Sequence, residues 1–202
     1  LLQEKNALYG RFAVTIKLNE LNYLDTAKFY PDKTPYDKVA HYAVFGGSPF
    51  VNQALRPTAT LRENIVSTIL NPVSAVYLYA SQLLLSDYSV KINAERIFAV
   101  IGNGKKRYSE IEDKLDVKKT GNLAKQMKPL RDLEIISRNY PINKLNDSKK
   151  STFEINDNLL RFYFTFIYKN ASALQVLGAE AFYDEYVAPT LTDFISRRFE
   201  GI

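Results

Sequence analysis

Between Asn93 and Ile155 three short amphipathic segments are followed by two alternating stretches around a lysine-rich loop. Asn93 precedes a segment with Ile97, Phe98 and Ile101 at helical spacing, and Gly102-Asn103-Gly104 stops it. Ser109 predicts the cap of a second helix through Leu115, with Glu112 at the fourth place of a capping box. Residues 116–119 read as a tight turn. Thr120 caps a third helix to about Leu133, whose inner face holds Leu123, Met127 and Leu130. Residues 134–140 predict a strand, 143–151 a polar loop, and 152–155 the returning strand.

Three helices followed by a two-stranded ribbon is the order of a winged helix-turn-helix. Charge follows the same boundary. Residues 91–151 hold 15 Lys or Arg against 8 Asp or Glu, while the rest of the chain holds 12 against 14. The whole excess that makes the chain +5 therefore sits in this segment. Such clustering suits a polyanion, because each neutralised phosphate releases a counterion. Lys105, Lys106 and Arg107 lie at the entry to the motif, and Lys118 and Lys119 lie in its turn. Lys125, Lys128 and Arg131 fall on the outer face of the third helix, and Lys144, Lys149 and Lys150 in the wing. Asn122 and Gln126 are the third-helix side chains that would read adenine in a major groove. DNA is the expected partner; a solvated lysine-rich surface on a protein-docking domain is the competing account.

The flanks are helical. Residues 11–18 alternate as one half-buried strand. Asn22 caps a short helix to Phe29, and Thr34-Pro35 starts another that Gly46-Gly47-Ser48-Pro49 ends. Thr60 and Glu63 form a capping box for the next helix, Asn71-Pro72 breaks it, and an apolar helix runs from about 73 to 85. Residues 158–168 are aromatic on nearly every side, which predicts a buried helix or one packed between domains. A last helix from about Ala181 is expected to be bent or interrupted at Pro189. The fold class is thus mainly α: a helical bundle at residues 1–90, a winged helix-turn-helix with a small β-hairpin at 91–156, and further helices at 157–202. The chain has no cysteine and one histidine, His41, which removes disulfides, thiolate metal sites and most zinc or Ser-His-Asp schemes. His41 reads as a core residue, Gly46-Gly47 as a helix stop, and Asp157 with Arg161 as a pair on one helix face. No apolar run approaches the roughly 20 residues of a membrane helix, so no membrane partner and a cytoplasmic location are expected.

Four stretches in order resemble the C-terminal part of an AAA-type ATPase of the archaeal ATPase family. Leu8-Tyr9-Gly10-Arg11 resembles the LYGR segment after the sensor strand of the ATPase core. Residues 42–50, Y-A-V-F-G-G-S-P-F, resemble the YAxxGGxPxY box of the helical lid. Residues 133–141 resemble the G-x-[VI]-x-R-x-x-P run at the wing, with Glu134 where that run has glycine. Residues 153–163 resemble the Y-x-I-x-D-x-x-x-x-F-[WY] box.

The resemblance implies a nucleotide-binding core before residue 1, a lid at 1–90, and coupling of ATP state to the winged helix. ATP and Mg are implied for the full-length protein, with self-association through the core. The 202 residues lack the phosphate loop G-x-x-x-x-G-K-[ST], so this chain alone is expected to be inactive as an ATPase. Having no initiating methionine, the chain reads as a fragment. Arg11 is the candidate arginine finger, against a plain surface ion pair. Phe199-Glu200 resembles the start of the nuclease-like domain that often follows in the family. A transcriptional regulator with a helical dimerisation half, or a protein-interaction module, remains the alternative.

Overall fold

A computed structural model describes residues 18–86, 94–102, 104–116, 122–141, 147 and 149–199. The expected strand at 11–18 lies outside them except for Leu18, which is exposed and in no regular element. Asn22 accepts the Asp25 N–H at 2.9 Å and starts α1 (Tyr23–Thr26), which tightens into a 3₁₀ turn (Ala27–Phe29) before Pro31. Thr34 caps α2 (Pro35–Phe45) with Pro35 at its first position, and Gly46, at φ 71°, closes it. Ser48 then caps a further helix, α3 (Pro49–Ala54), which the Gly-Gly-Ser-Pro run conceals. The residues that stop one helix there also start the next. In α4 (Leu61–Ser67) the capping box forms: Thr60 N–H donates to Glu63 at 2.7 Å, and Glu63 N–H donates to the Thr60 hydroxyl at 3.2 Å. After Pro72 the chain enters α5 (Ala75–Ser86).

The second unit contains α6 (Ala94–Ile101), β1 (Lys106–Arg107), α7 (Tyr108–Leu115), α8 (Asn122–Asp132), β2 (Ile136–Asn139) and β3 (Thr152–Ile155). The ribbon is three-stranded rather than two-stranded. Antiparallel order β1-β3-β2 places Lys106 and Arg138 on either side of Phe153. A two-residue strand is too short to leave a period in the sequence. Because β1 runs directly into α7, that helix starts earlier than Ser109. Glu110, not Glu112, takes the free N–H at its start, from Arg107 at 2.5 Å. The expected caps Asn93 and Thr120 lie outside the described residues. Ile97, Phe98, Ile101, Ile111, Leu123, Met127, Leu130, Ile136, Phe153 and Ile155 close this unit's core.

After β3, Asp157 caps α9 (Asn158–Phe162) by accepting the Leu160 N–H at 2.7 Å. Helical structure continues through a π turn (Tyr163–Ile167) and a 3₁₀ turn (Tyr168–Asn170) into α10 (Ala171–Phe182). A second π turn (Tyr183–Val187) leads into α11 (Ala188–Phe199). Pro189 does not interrupt the helix. The widened turn sits where the proline lacks an N–H and its ring would crowd the preceding carbonyls.

Helices α9–α11 fold back on α2 and α4, so Phe162, Phe182 and Phe194 share one core with Phe45, Ile65 and Leu70. The aromatic segment serves both units. Leu159, Phe162 and Phe166 point into this larger core, while Leu160 and Phe164 point into that of α6–α8. Among the described residues no helix is long and apolar enough to cross a membrane.

Candidate nucleic-acid interface

In α8 the inward strip is Leu123, Gln126, Met127 and Leu130, the i, i+3, i+4, i+7 spacing of one helix face. Gln126 therefore belongs to the buried side, with 8% exposure, and cannot present its amide to a base. This corrects the expectation that it reads adenine. Asn122 lies in the first turn of α8, but its side chain falls outside the described residues, as do Arg11, Lys118, Lys119 and Lys144.

The opposite face of α8 carries Lys125, Lys128 and Arg131, all exposed. Lys128 pairs with Asp132 at 2.7 Å, a solvent-exposed contact that contributes little and yields readily to a phosphate. A groove of about 500 Å³ runs between α8, the start of α7 and the strand pair. Its cations are Arg131, Arg138 and Lys149, and its floor is Met127 and Phe153. Arg138 is held in place: Nε donates to the Ser151 hydroxyl at 2.8 Å, and the guanidinium lies 5.1 Å from the Tyr140 ring and 5.6 Å from that of Phe153. Lys149 and Lys150 sit in a turn closed by Asp147, whose carboxylate accepts the Lys149 N–H at 3.1 Å.

Arg138 and the groove floor were absent from the expected contacts. The signal for Arg138 was its place at the arginine of the wing motif, and its register opposite Phe153 needed the sheet. Lys105 and Lys106 do not join this groove but line a separate cleft. Phe153 and Glu154 are consecutive in β3 and face opposite sides of the sheet, one into each hollow. Arg107 is exposed on β1.

The glycine pair and the histidine have structural work. A Cβ on Gly47 would lie 1.8 Å from the Leu21 carbonyl oxygen, where Leu21 N–H donates to Gly47 O at 3.0 Å. His41 is 1% exposed, with Nδ1 at 2.7 Å from Asp37 O and Nε2 at 3.3 Å from the Asn64 amide nitrogen. With Nδ1 protonated both contacts are satisfied, and burial lowers the pKa of the imidazole. Arg161 pairs with Glu154 at 2.6 Å rather than with Asp157. Asp157 is engaged as a helix cap, so its carboxylate turns along α9 toward the free N–H groups.

Near Gly47 the carboxyls of Glu20 and Asp157 are close enough to interact electrostatically. Glu20 is exposed as a whole residue, while its carboxyl accepts the Gly47 N–H at 3.3 Å in a part-buried contact. Desolvation and then the nearby Asp157 raise its pKa to about 7, against the opposing pull of Gly47 N–H and Arg198. Burial raises Asp157 in the same direction. A carboxyl that holds its proton more tightly when folded stabilises the fold at low pH and loses that contribution as pH climbs through the folded value. The contribution of Glu20 is therefore expected to be lost between about pH 5 and 8, opposite in sign to that of His41, whose lowered folded value favours the fold as pH rises. Glu20→Gln should flatten the slope by about 1 kcal/mol after allowance for solvent screening, read as melting temperature against pH. An unchanged slope in that variant would assign the effect elsewhere.

Comparison with known proteins adds one relative. The chain is 26% identical over 175 residues, 86% of its length, to a protein of Methanocaldococcus jannaschii named "Uncharacterized protein MJECL04". It spans 39% of that relative's length. No protein-family profile matches the chain, and no solved structure matches it.

Proposed function

We propose that residues 94–155 form a winged helix-turn-helix that lies against DNA through the outer face of α8 and the Arg131–Arg138–Lys149 groove. The observation that carries this reading is the meeting of cations from α8, β2 and the wing turn at one groove, beside the exposed Lys125 and Lys128. The order helix, strand, helix, helix, strand, strand, with the first strand added to the ribbon's edge, supports it further. An arginine fixed by a hydroxyl and two rings is poised for a phosphate without much further loss of side-chain entropy.

In the same reading the chain is the lid and winged-helix part of an AAA-type ATPase of the archaeal ATPase family. Two local features support that resemblance. Glu134, standing where the family has glycine, has φ 58°, a left-handed conformation that glycine adopts freely. The Gly46-Gly47 pair of the lid box is required by a turn at φ 71° and by the close approach of Leu21. Among the described residues no group of three or more histidine or acidic side chains is placed to hold a metal ion. In this proposal ATP and magnesium belong to the nucleotide-binding core that the resemblance implies, since the sequence holds no G-x-x-x-x-G-K-[ST] loop. Motion of the lid would reach the winged helix through the aromatic segment α9, which packs into both cores.

The test is salt dependence. Replacing Lys125, Lys128, Arg131 and Lys149 together with alanine removes four exposed cations. The slope of log binding constant against log salt should flatten by about 3 to 4 units, measured by fluorescence anisotropy on duplex DNA. A slope identical to that of the unaltered chain would remove this face from the interface. No measurable DNA affinity in the unaltered chain would favour the protein-docking alternative.

A further inference from the structure

The cleft that takes Lys105 and Lys106 has a volume of about 430 Å³, within the range of pockets that hold small molecules. It opens between the turn from α6 into β1 and the last helix, α11. Lys105 and Arg197, both exposed, stand at it from opposite elements. Phe166 and Phe194, with ring centres 5.4 Å apart, form an apolar wall. Arg161, 8% exposed, is a deeper wall and is already neutralised by Glu154.

The lining residues carry four cations against two carboxylates, Glu154 and Asp193, a net of two positive charges. Among the described residues neither Lys105 nor Arg197 has a carboxylate within ion-pair distance. The turn lies in contact range of the arginine. Gly104 has φ 113°, and Arg197 Nη1 lies 3.5 Å from where a Cβ on Gly104 would sit.

The geometry points to a binding site for a small organic phosphate monoester. Such a group carries nearly two negative charges near neutral pH, which matches the excess of the cleft. Lys105 and Arg197 take the phosphate oxygens, and the organic part lies on the Phe166–Phe194 wall. A ligand held there fastens α11 to the start of β1, and so the C-terminal helices to the three-stranded unit. The site is independent of the groove proposed for DNA, which faces the other side of β3.

Calorimetric titration of the 202-residue chain with phenyl phosphate tests this. One saturable site is expected. Lys105→Ala with Arg197→Ala should weaken it about tenfold or more, and inorganic phosphate, which lacks the ring, should bind about tenfold more weakly. Arg131→Ala with Lys149→Ala should leave phenyl phosphate binding unchanged while reducing the DNA salt slope, which separates the two sites. Absence of saturation would overturn the proposal. So would equal binding by the Lys105/Arg197 double variant at an unchanged melting temperature. Equal affinity for inorganic phosphate would overturn the role given to the phenylalanine wall.

Discussion

Phe164→Ala is expected to lower the free energy of unfolding by about 3–5 kcal/mol and to do so in one transition covering the whole chain. Phe164 is fully buried, with ring centres 5.3 Å from Phe98 and 4.9 Å from Tyr168. The backbone just past α6 comes so close that a Cβ on Gly102 would lie 2.8 Å from the Phe164 Cβ. Surroundings this tight, with backbone on one side, collapse little into a void, which places the cost high in the range for a lost aromatic ring. For a chain of this size the melting temperature should drop by roughly 10 °C.

The number of transitions carries the mechanistic content. Phe162 and Phe166 are near neighbours of Phe164 in the chain but lie in the other core, where the Phe162 ring is centred 4.7 Å from that of Phe166 and meets that of Phe194 edge-on at 5.7 Å. Loosening the segment at Phe164 should loosen both units together. Differential scanning calorimetry that resolves two transitions, with only one shifted by Phe164→Ala, would sink the shared-core account and the lid-to-wing coupling proposed from it.

Arg161→Met should destabilise by about 3 kcal/mol, because it leaves Glu154 charged and largely buried. The pair is close, 2.6 Å, with side-chain exposures of 9% and 14%. Arg161 also donates to Ile155 O at 2.8 Å, while the Asn139 amide donates to Glu154 and remains in the variant. That surviving contact holds the expected loss at the lower end of what a broken buried pair costs. Replacing both partners, Arg161→Met with Glu154→Leu, removes the stranded charge and should return most of the stability in urea unfolding. A double variant as unstable as the single one would mean that the Ile155 contact, not the ion pair, accounts for the loss.

Local signals carried a large part of this fold. Asn22, Thr34 and Thr60 are N-caps because a short polar side chain ahead of an apolar stripe satisfies helix N–H groups whatever lies further away. The two β stretches and the inward positions Leu123, Met127 and Leu130 follow in the same way from period and burial. The candidate interface was legible only as a concentration of lysines. Its grouping was not, since charge counted along the chain does not say which side of a strand a residue faces.

What the sequence determined by itself is most of the helices, the caps Asn22, Thr34 and Thr60, the β2–β3 pair and the segment holding the positive charge. All of these depend on residues within a few positions of one another. The tertiary structure alone decided the rest. It buried Gln126, added β1 to the edge of β3, gave Arg161 to Glu154 and placed Lys105 across from Arg197. It also divided the aromatics of α9 and its π turn between two cores. Each of these depends on which distant segment lies opposite a side chain, and that is settled when apolar faces from separate parts of the chain close on each other and exclude water.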